Sequence, residues 1–390
     1  MNNRLVVLDA LRGFCALFVA LMHINVVGYV TQSSFIRGSW LFVDFFFVLS
    51  GFVIAKVYLD RIDGRTSFVV FVVRRFGRLW PLHAFVLLLF VITESVKAFG
   101  AATGLPTHVP AFGDAYPIAA LGPNLLLIHS LGLYDTFTWN VPSWTISVEF
   151  YTYLVFASLC VASRRQIVAA TAIGAGISVA ALLLWSPGYL KTSLDFGIFR
   201  CLYGFLVGVL VLLAFHAFSR RRRKLPSATG LEVATLALSV GFVVTAGSST
   251  APTMLAPIVF AATIFVFAFE EGPLSRLLSA RAFTWLGDRS YTIYMTHAFV
   301  IYLINRALVL GGEVTSTDLV RRMEFAETLS NTAYTGNRLA ADLVIVPYVV
   351  AILAVAHIVF MTVEQPGRAF FNRLATAIAE RGYAAPSATP

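Results

Sequence analysis

Residues 8–23 read LDALRGFCALFVALMH, apolar except at Asp9, Arg12 and His23. On an α-helix the eleven residues from Arg12 to His23 make about three turns and about 16 Å, so the two side chains share a face. Arg12 falls where the helix enters a membrane and His23 deep inside it, with Gly13, Ala16 and Ala20 as a strip of small residues between them. Ionisable groups are costly in lipid and usually mark function.

The same kind of segment recurs along the chain. A 390-residue sequence that is 58% hydrophobic and 13% charged, with a mean hydropathy of +0.80, is a polytopic membrane protein rather than a soluble one. Apolar stretches near the roughly 20 residues a span needs fall at about 8–29, 39–58, 78–98, 143–163, 167–187, 196–218, 230–248, 252–270, 290–311 and 340–363. The expected fold is therefore all-α, a bundle of about ten transmembrane helices. It forms one membrane domain over residues 1–375, with 376–390 a cytoplasmic tail expected to be disordered. The stretch 118–133, IAALGPNLLLIHSLGL, is short and broken by Gly122 and Pro123, and reads as re-entrant, interfacial or an eleventh span. The polar stretch 312–339 reads as a mobile loop or a surface helix. No small-residue cleavage site follows the first apolar run, which is expected to stay as a helix.

The formal charge of +9 lies in short clusters between the apolar segments. With the N-terminus cytoplasmic, the inner loops hold Lys56, Arg61, Arg65, Arg74, Arg75 and Arg78, then Arg164 and Arg165, Arg220 to Lys224, Arg276, Arg281 and Arg289, and finally Arg368, Arg373 and Arg381. The stretch 99–142 has no lysine or arginine, which places it outside and both termini in the cytoplasm. The basic residues are thus topology signals, and no nucleic-acid partner is implied. Cys15, Cys160 and Cys201 all lie in apolar stretches, which suggests neither disulfides nor a metal site.

Given that orientation, His23, Asp44 of WLFVDFFFVLSGF and Glu149 of NVPSWTISVEFYTYL fall at one level, roughly 8–10 Å below the outer surface. A histidine and two carboxylates at one depth suit an acid/base cluster in which a carboxylate fixes the imidazole tautomer. Each also has a structural reading, as a core histidine on a carbonyl or as carboxylates on backbone or tryptophan N–H groups. Trp40 reads as an interfacial anchor, and Asn140 with Pro142 as a helix start. On the inner side Arg75 and Arg78, i and i+3 just before the third span, present two guanidinium forks to one side, a geometry that suits phosphate oxygens or lipid headgroups. Tyr294 and His297, also i and i+3, read as a structural hydrogen-bonded pair.

At these residues a resemblance becomes visible. LDALRGFCALFVALMH, FVDFFFVLSGFVI, RRFGRLWPLH, NVPSWTISVEFYTYL, WLGDRSYTIYMTHAF and VEQPGRAFF resemble, in order, the membrane acyltransferase 3 family, with RCLYGFLVG at 200–208 a looser match. The resemblance implies a bacterial inner-membrane, multi-pass acyltransferase of the EC 2.3.1 type. Such an enzyme moves an acyl group, often acetyl, from cytoplasmic acyl-CoA to a hydroxyl of an extracytoplasmic carbohydrate or glycolipid such as exopolysaccharide or lipopolysaccharide. Acyl-CoA would be a co-substrate, with no bound cofactor. The family's Arg-x10-His motif falls on Arg12 and His23, the histidine being regarded as catalytic, and its RxxR motif on Arg75 and Arg78, implicated in donor handling. The family's serine and glutamate after a tryptophan match Ser147 and Glu149 behind Trp144, while Thr145 stands where relatives show serine. Some relatives carry an added SGNH hydrolase-like domain, which is not expected in this chain.

The implied mechanism has the inner arginines hold the CoA phosphates and His23 act as general base, oriented by Glu149 or Asp44, or else has His23 or Ser147 carry the acyl group covalently. Composition also admits a proton-coupled secondary transporter relaying protons through His23, Asp44 and Glu149, or a scaffold subunit of a glycan exporter. The transporter reading predicts internal repeats, and none is visible in the sequence.

Overall fold

The computed structural model describes residues 5–104, 110–162, 166–221, 224–315, 320–325, 328–333 and 336–384. Arg164, Arg165, Arg222 and Arg223 of the inner basic clusters, and 385–390 of the tail, lie outside these described residues. The structure is 78% helical. The helices are α1 Val6–Met22, α2 Ser34–Arg37, α3 Phe42–Tyr58, α4 Arg65–Ala102, α5 Leu121–Leu125, α6 Trp144–Ala162, α7 Ile167–Trp185 and α8 Gly197–Arg220. They continue as α9 Ala228–Ala246, α10 Ala256–Phe267, α11 Pro273–Leu278, α12 Arg281–Asp288, α13 Ser290–Thr315, α14 Arg338–Val359 and α15 Gln365–Ala384.

Among the described residues, eight helical stretches are long and apolar enough to cross a membrane. In lipid the backbone has no water to bond, so each apolar segment closes its own hydrogen bonds as a helix. All ten expected segments are helical, but two are short: α1 has 17 residues, and Ala251–Phe267 is a shorter apolar helix. The stretch 118–133 forms no span, because α5 has five residues, about 7.5 Å of helix. Helicity also runs past 376 to Ala384, where a disordered tail is expected.

The chain divides into two compact units, one of residues up to Phe42 with Ser227–Thr253 and Val266–Phe360, the other of Val43–Pro226, Met254–Phe265 and the residues from Met361 on. In the first unit α1 packs on α12 and α13, and α13 on α14. A Cβ on Gly13 would lie 2.7 Å from the Gly287 nitrogen, and one on Gly287 2.5 Å from the Asp9 carbonyl, so the two backbones touch. Buried Glu232 of α9 caps α11, accepting from the nitrogens of Gly272 (3.0 Å), Leu274 (3.0 Å) and Ser275 (3.3 Å) and from the Ser275 hydroxyl. The polar stretch 312–339 is neither loop nor surface helix throughout. It holds an antiparallel hairpin, β1 Val320–Phe325 and β2 Thr328–Ala333, and the Ala333 nitrogen donates to the Asn25 carbonyl (3.0 Å). That pairing takes up backbone groups at 25–26, and α1 ends at Met22 instead of running to 29.

In the second unit α3 lies against the G-x-x-x-G of α8, Gly204 to Gly208. A Cβ on Gly208 would collide with the Val48 carbonyl, one on Gly51 with the Phe205 carbonyl, and one on Gly204 would lie 2.8 Å from the Phe47 Cβ. Small residues let helix backbones approach where apolar burial gives no net drive between helices in lipid. Gly208→Ala is therefore expected to push α3 off α8 and cost about 1–3 kcal/mol, read as a lower thermal unfolding midpoint in detergent micelles. Helix α4 has 38 residues and begins at Arg65, so Arg75 and Arg78 sit inside it rather than before it. It pairs with α15 where Gly77 meets Phe371, and where a Cβ on Gly367 would lie 2.7 Å from the Pro81 Cβ.

Candidate active site

In the first unit, His23 stands at the C-cap of α1, half-buried rather than within a longer helix. Its Nδ1 lies 2.8 Å from the Val19 carbonyl, and a carbonyl only accepts, so Nδ1 carries the proton. Nε2 is then the basic nitrogen. No carboxylate is needed to set this tautomer, since the preceding helical turn does so. The His23 ring faces His297 of α13, with centroids 5.0 Å apart. His297 is fully buried, its Nδ1 3.2 Å from the Ile293 carbonyl and its Nε2 without a hydrogen-bond partner among the described residues. Tyr294 meets His297 edge-on, with centroids 5.8 Å apart.

Arg12 of α1 is anchored at the α12–α13 corner. Its Nε donates to Ser290 Oγ (2.8 Å), Nη2 to the Gly287 carbonyl (3.4 Å), and Asp9 pairs with it at 2.9 Å. Its side chain stays 27% exposed, enough to meet a further anion. The strip between Arg12 and His23 is not open. Gly13 is filled by α12, and Ala16 and Ala20 are fully buried.

The second unit holds the remaining expected residues, with different partners from those anticipated. Both Asp44 oxygens are taken by Arg200 of α8, Oδ1 by Nε at 2.9 Å and Oδ2 by Nη2 at 2.8 Å. Asp44 is 0% and Arg200 2% exposed, and the guanidinium lies 5.4 Å from the Trp144 ring centroid. Asp44 is thus half of a buried bidentate pair, not a carboxylate available to a base. Glu149 of α6 accepts at Oε1 from Ser50 Oγ (2.6 Å) and from the Tyr153 hydroxyl (2.6 Å). Ser147 is fully buried, donates to the Leu127 carbonyl (2.6 Å) and accepts from the Ser130 nitrogen (3.3 Å). It pins a turn in which Leu127 has φ 58°, a left-handed conformation that needs such support, and it is not placed to carry an acyl group. Asn140 stands at the N-cap of the turn Val141–Ser143 that leads into α6, as its sequence suggests.

Arg75 and Arg78 do share a side of α4 but differ in what holds them. Arg75 donates from Nη2 to the Tyr58 hydroxyl (3.2 Å), lies 5.1 Å from that ring's centroid, and has a buried Nε without a hydrogen-bond partner among the described residues. Arg78 is ion-paired with Glu364, which is 1% exposed and ends the π-helical turn Phe360–Glu364; Arg368 approaches the same carboxylate at 3.8 Å. Glu364→Gln is expected to loosen α4 from α15 by about 1.5–3 kcal/mol, the worth of a charge-assisted bond, and to show as earlier proteolysis of α15 in intact membranes.

Sequence reasoning missed Ser50, Arg200, Glu364 and a second histidine pair. Ser50, Arg200 and Glu364 all lie inside motifs already singled out, and an unpaired buried charge at Asp44 was itself the signal that a cation had to face it. His83 and His129 stack at 5.6 Å and 4°, bonded through Nε2 to the Asn124 carbonyl (2.9 Å) and the Ser143 hydroxyl (3.0 Å).

A profile of the acyltransferase domain, acyltransferase 3, matches residues 5–361. The chain belongs to the acyltransferase 3 family. It is similar to the putative peptidoglycan O-acetyltransferase YrhL of Bacillus subtilis, 28% identical over 79% of this chain and 50% of that one. It is also similar to the peptidoglycan O-acetyltransferase OatA of Listeria monocytogenes, 26% identical over 77% of this chain and 50% of that one. The acyltransferase MdmB of Streptomyces mycarofaciens is 28% identical over 76% of this chain and 73% of its own length. The chain thus spans about half the length of the first two relatives. No solved structure matches it significantly. As a member of this family with eight membrane-length apolar helices among the described residues, it is a multi-pass membrane protein.

Proposed function

We propose that this protein is a membrane O-acyltransferase that moves an acyl group, acetyl by default, from cytoplasmic acyl-CoA to a hydroxyl of an extracytoplasmic carbohydrate. The observation that carries the reading is the His23 imidazole, its tautomer set by Val19 so that a basic Nε2 is left on a half-buried residue. A base so placed takes the proton of an acceptor hydroxyl as the oxygen attacks the acyl carbonyl. The names of YrhL and OatA support a glycan acceptor, with a cell-surface polysaccharide or glycolipid the class favoured. Arg75, with its spare buried Nε–H, is the principal phosphate contact of the donor, and Arg78, one turn along α4 and held by Glu364, lines the same side of that helix. Trp144 and Asn140 support the second unit rather than touching substrate. In this reading both termini are cytoplasmic and the membrane is the bacterial inner membrane. Family membership favours transfer over the carrier alternative.

The test uses sealed inverted membrane vesicles containing the protein, given acetyl-CoA labelled in the acetyl group. Label appearing in lumenal glycan, and absent from vesicles without the protein, is the expected result. Label confined to the donor side would overturn it.

A further inference from the structure

We infer that Ser50 is a nucleophile that carries the acyl group covalently, with Glu149 as its base. The inference deepens the acyltransferase reading above and rests on it.

Ser50 lies on α3, half-buried, and its Oγ is 2.6 Å from Glu149 Oε1. Tyr153, one turn along α6 from Glu149, donates to the same oxygen at 2.6 Å and stands 3.1 Å from Ser50 Oγ. A nucleophile in hydrogen-bond contact with a base, and that base held by a third group, is the arrangement that activates a weak hydroxyl. The two hydroxyls that the sequence motif offers are engaged with backbone: Ser147 with the Leu127 carbonyl, and Thr145 with the Pro142 carbonyl at 3.0 Å. On a neighbouring face of α3 the contact of Gly51 with the Phe205 carbonyl clamps the backbone, so Ser50 is held in place toward α6.

The donor contact shares α3 with this pair and lies where α3 meets α4. Tyr58, which receives the Arg75 hydrogen bond, is eight residues along α3 from Ser50, about 12 Å of helix. An aromatic path joins them, Tyr58 to Phe71 at 4.9 Å and Phe71 to Tyr153 at 6.2 Å between centroids. The ligand class that this proposal names has phosphates at one end and an acyl thioester at the other, separated by a slender arm.

In the first half-reaction Ser50 Oγ attacks the thioester carbonyl, an O–C bond forms and the C–S bond breaks. The serine proton passes to Glu149 and from it to the leaving thiolate. In the second, the acceptor oxygen attacks the serine ester, a new O–C bond forms and the Ser50 O–C bond breaks. One proton leaves the acceptor and one returns to Ser50 Oγ, so the enzyme is regenerated with no redox change.

The test uses the purified full chain in nanodiscs with labelled acetyl-CoA and no acceptor, followed by peptide mapping, alongside transfer to glycan with acceptor present. Wild type is expected to hold label on the peptide containing Ser50. Ser50→Ala should lose the label and roughly 10³-fold or more of transfer. Ser50→Cys should hold a label released by neutral hydroxylamine, which also reports that α3 is correctly placed. His23→Asn should keep the Ser50 label, because the first half-reaction uses only Ser50 and Glu149. Transfer in Ser50→Ala within about twofold of wild type, or label on any other residue, overturns the inference while the parent reading stands. Absence of any wild-type transfer overturns both.

Discussion

Replacing His23 by asparagine is expected to lower acyl transfer about 10²- to 10⁴-fold, the usual contribution of a positioned general base. The asparagine amide reaches the position of Nδ1 and retains the bond to the Val19 carbonyl, so the end of α1 is preserved, while the basic Nε2 is deleted. His23→Gln does the reverse, placing an amide near Nε2 that hydrogen-bonds but does not accept a proton at neutral pH. If the ring were a packing element against His297, whose centroid is 5.0 Å away, the two substitutions would differ in stability and leave the rate per folded molecule unchanged. As a base, both fall to the same low rate with thermal midpoints close to wild type. The measurement is label transferred to glycan per molecule of correctly inserted protein, and a rate within threefold of wild type in either variant sinks the assignment.

Arg200→Met is expected to destabilise the second unit by about 3–5 kcal/mol, because it leaves the Asp44 carboxylate buried without its cation. Asp44→Leu should do the same from the other side. The double variant should recover most of the loss, since a buried ion pair is often no better than apolar groups of similar volume once both charges are gone. Trp144, whose ring lies under the Arg200 guanidinium, gives a local fluorescence reporter of whether that corner of α6 and α8 stays packed. Thermal unfolding of the three variants in one detergent completes the cycle. Additive losses in the double variant would mean that the two side chains do not interact, contrary to the bidentate geometry.

Much of this protein is visible before any coordinates. Apolar runs near membrane length mark the helices, and ordered blocks from LDALRGFCALFVALMH to VEQPGRAFF mark the family. What failed were places where distant chain segments compete for the same backbone. The expected first span reaches 29, yet Ala333 pairs with 25–26 and the helix stops at Met22. The hairpin responsible lies in a polar stretch with no strong two-residue alternation, so nothing local announced it. Depth alone grouped His23, Asp44 and Glu149. Depth is one coordinate, and partners depend on rotation about each helix as well, which is how Asp44 meets Arg200 while Glu149 meets Ser50.

By itself the sequence determined that the chain is a helical membrane protein of the acyltransferase 3 family and that ionisable residues stand within its apolar segments. Those properties follow from local composition, from the demand that backbone groups in lipid bond within their own segment, and from short motifs. Only the tertiary structure decided which of those residues are chemically available. It pairs Asp44 with Arg200 across 156 residues and Arg78 with Glu364 across 286, ties Ser147 to a strained turn, and leaves Ser50 facing a carboxylate. The physical reason is that a buried charge or hydroxyl takes its meaning from its partner, and partners so distant in the chain are selected by helix packing, which no local pattern encodes.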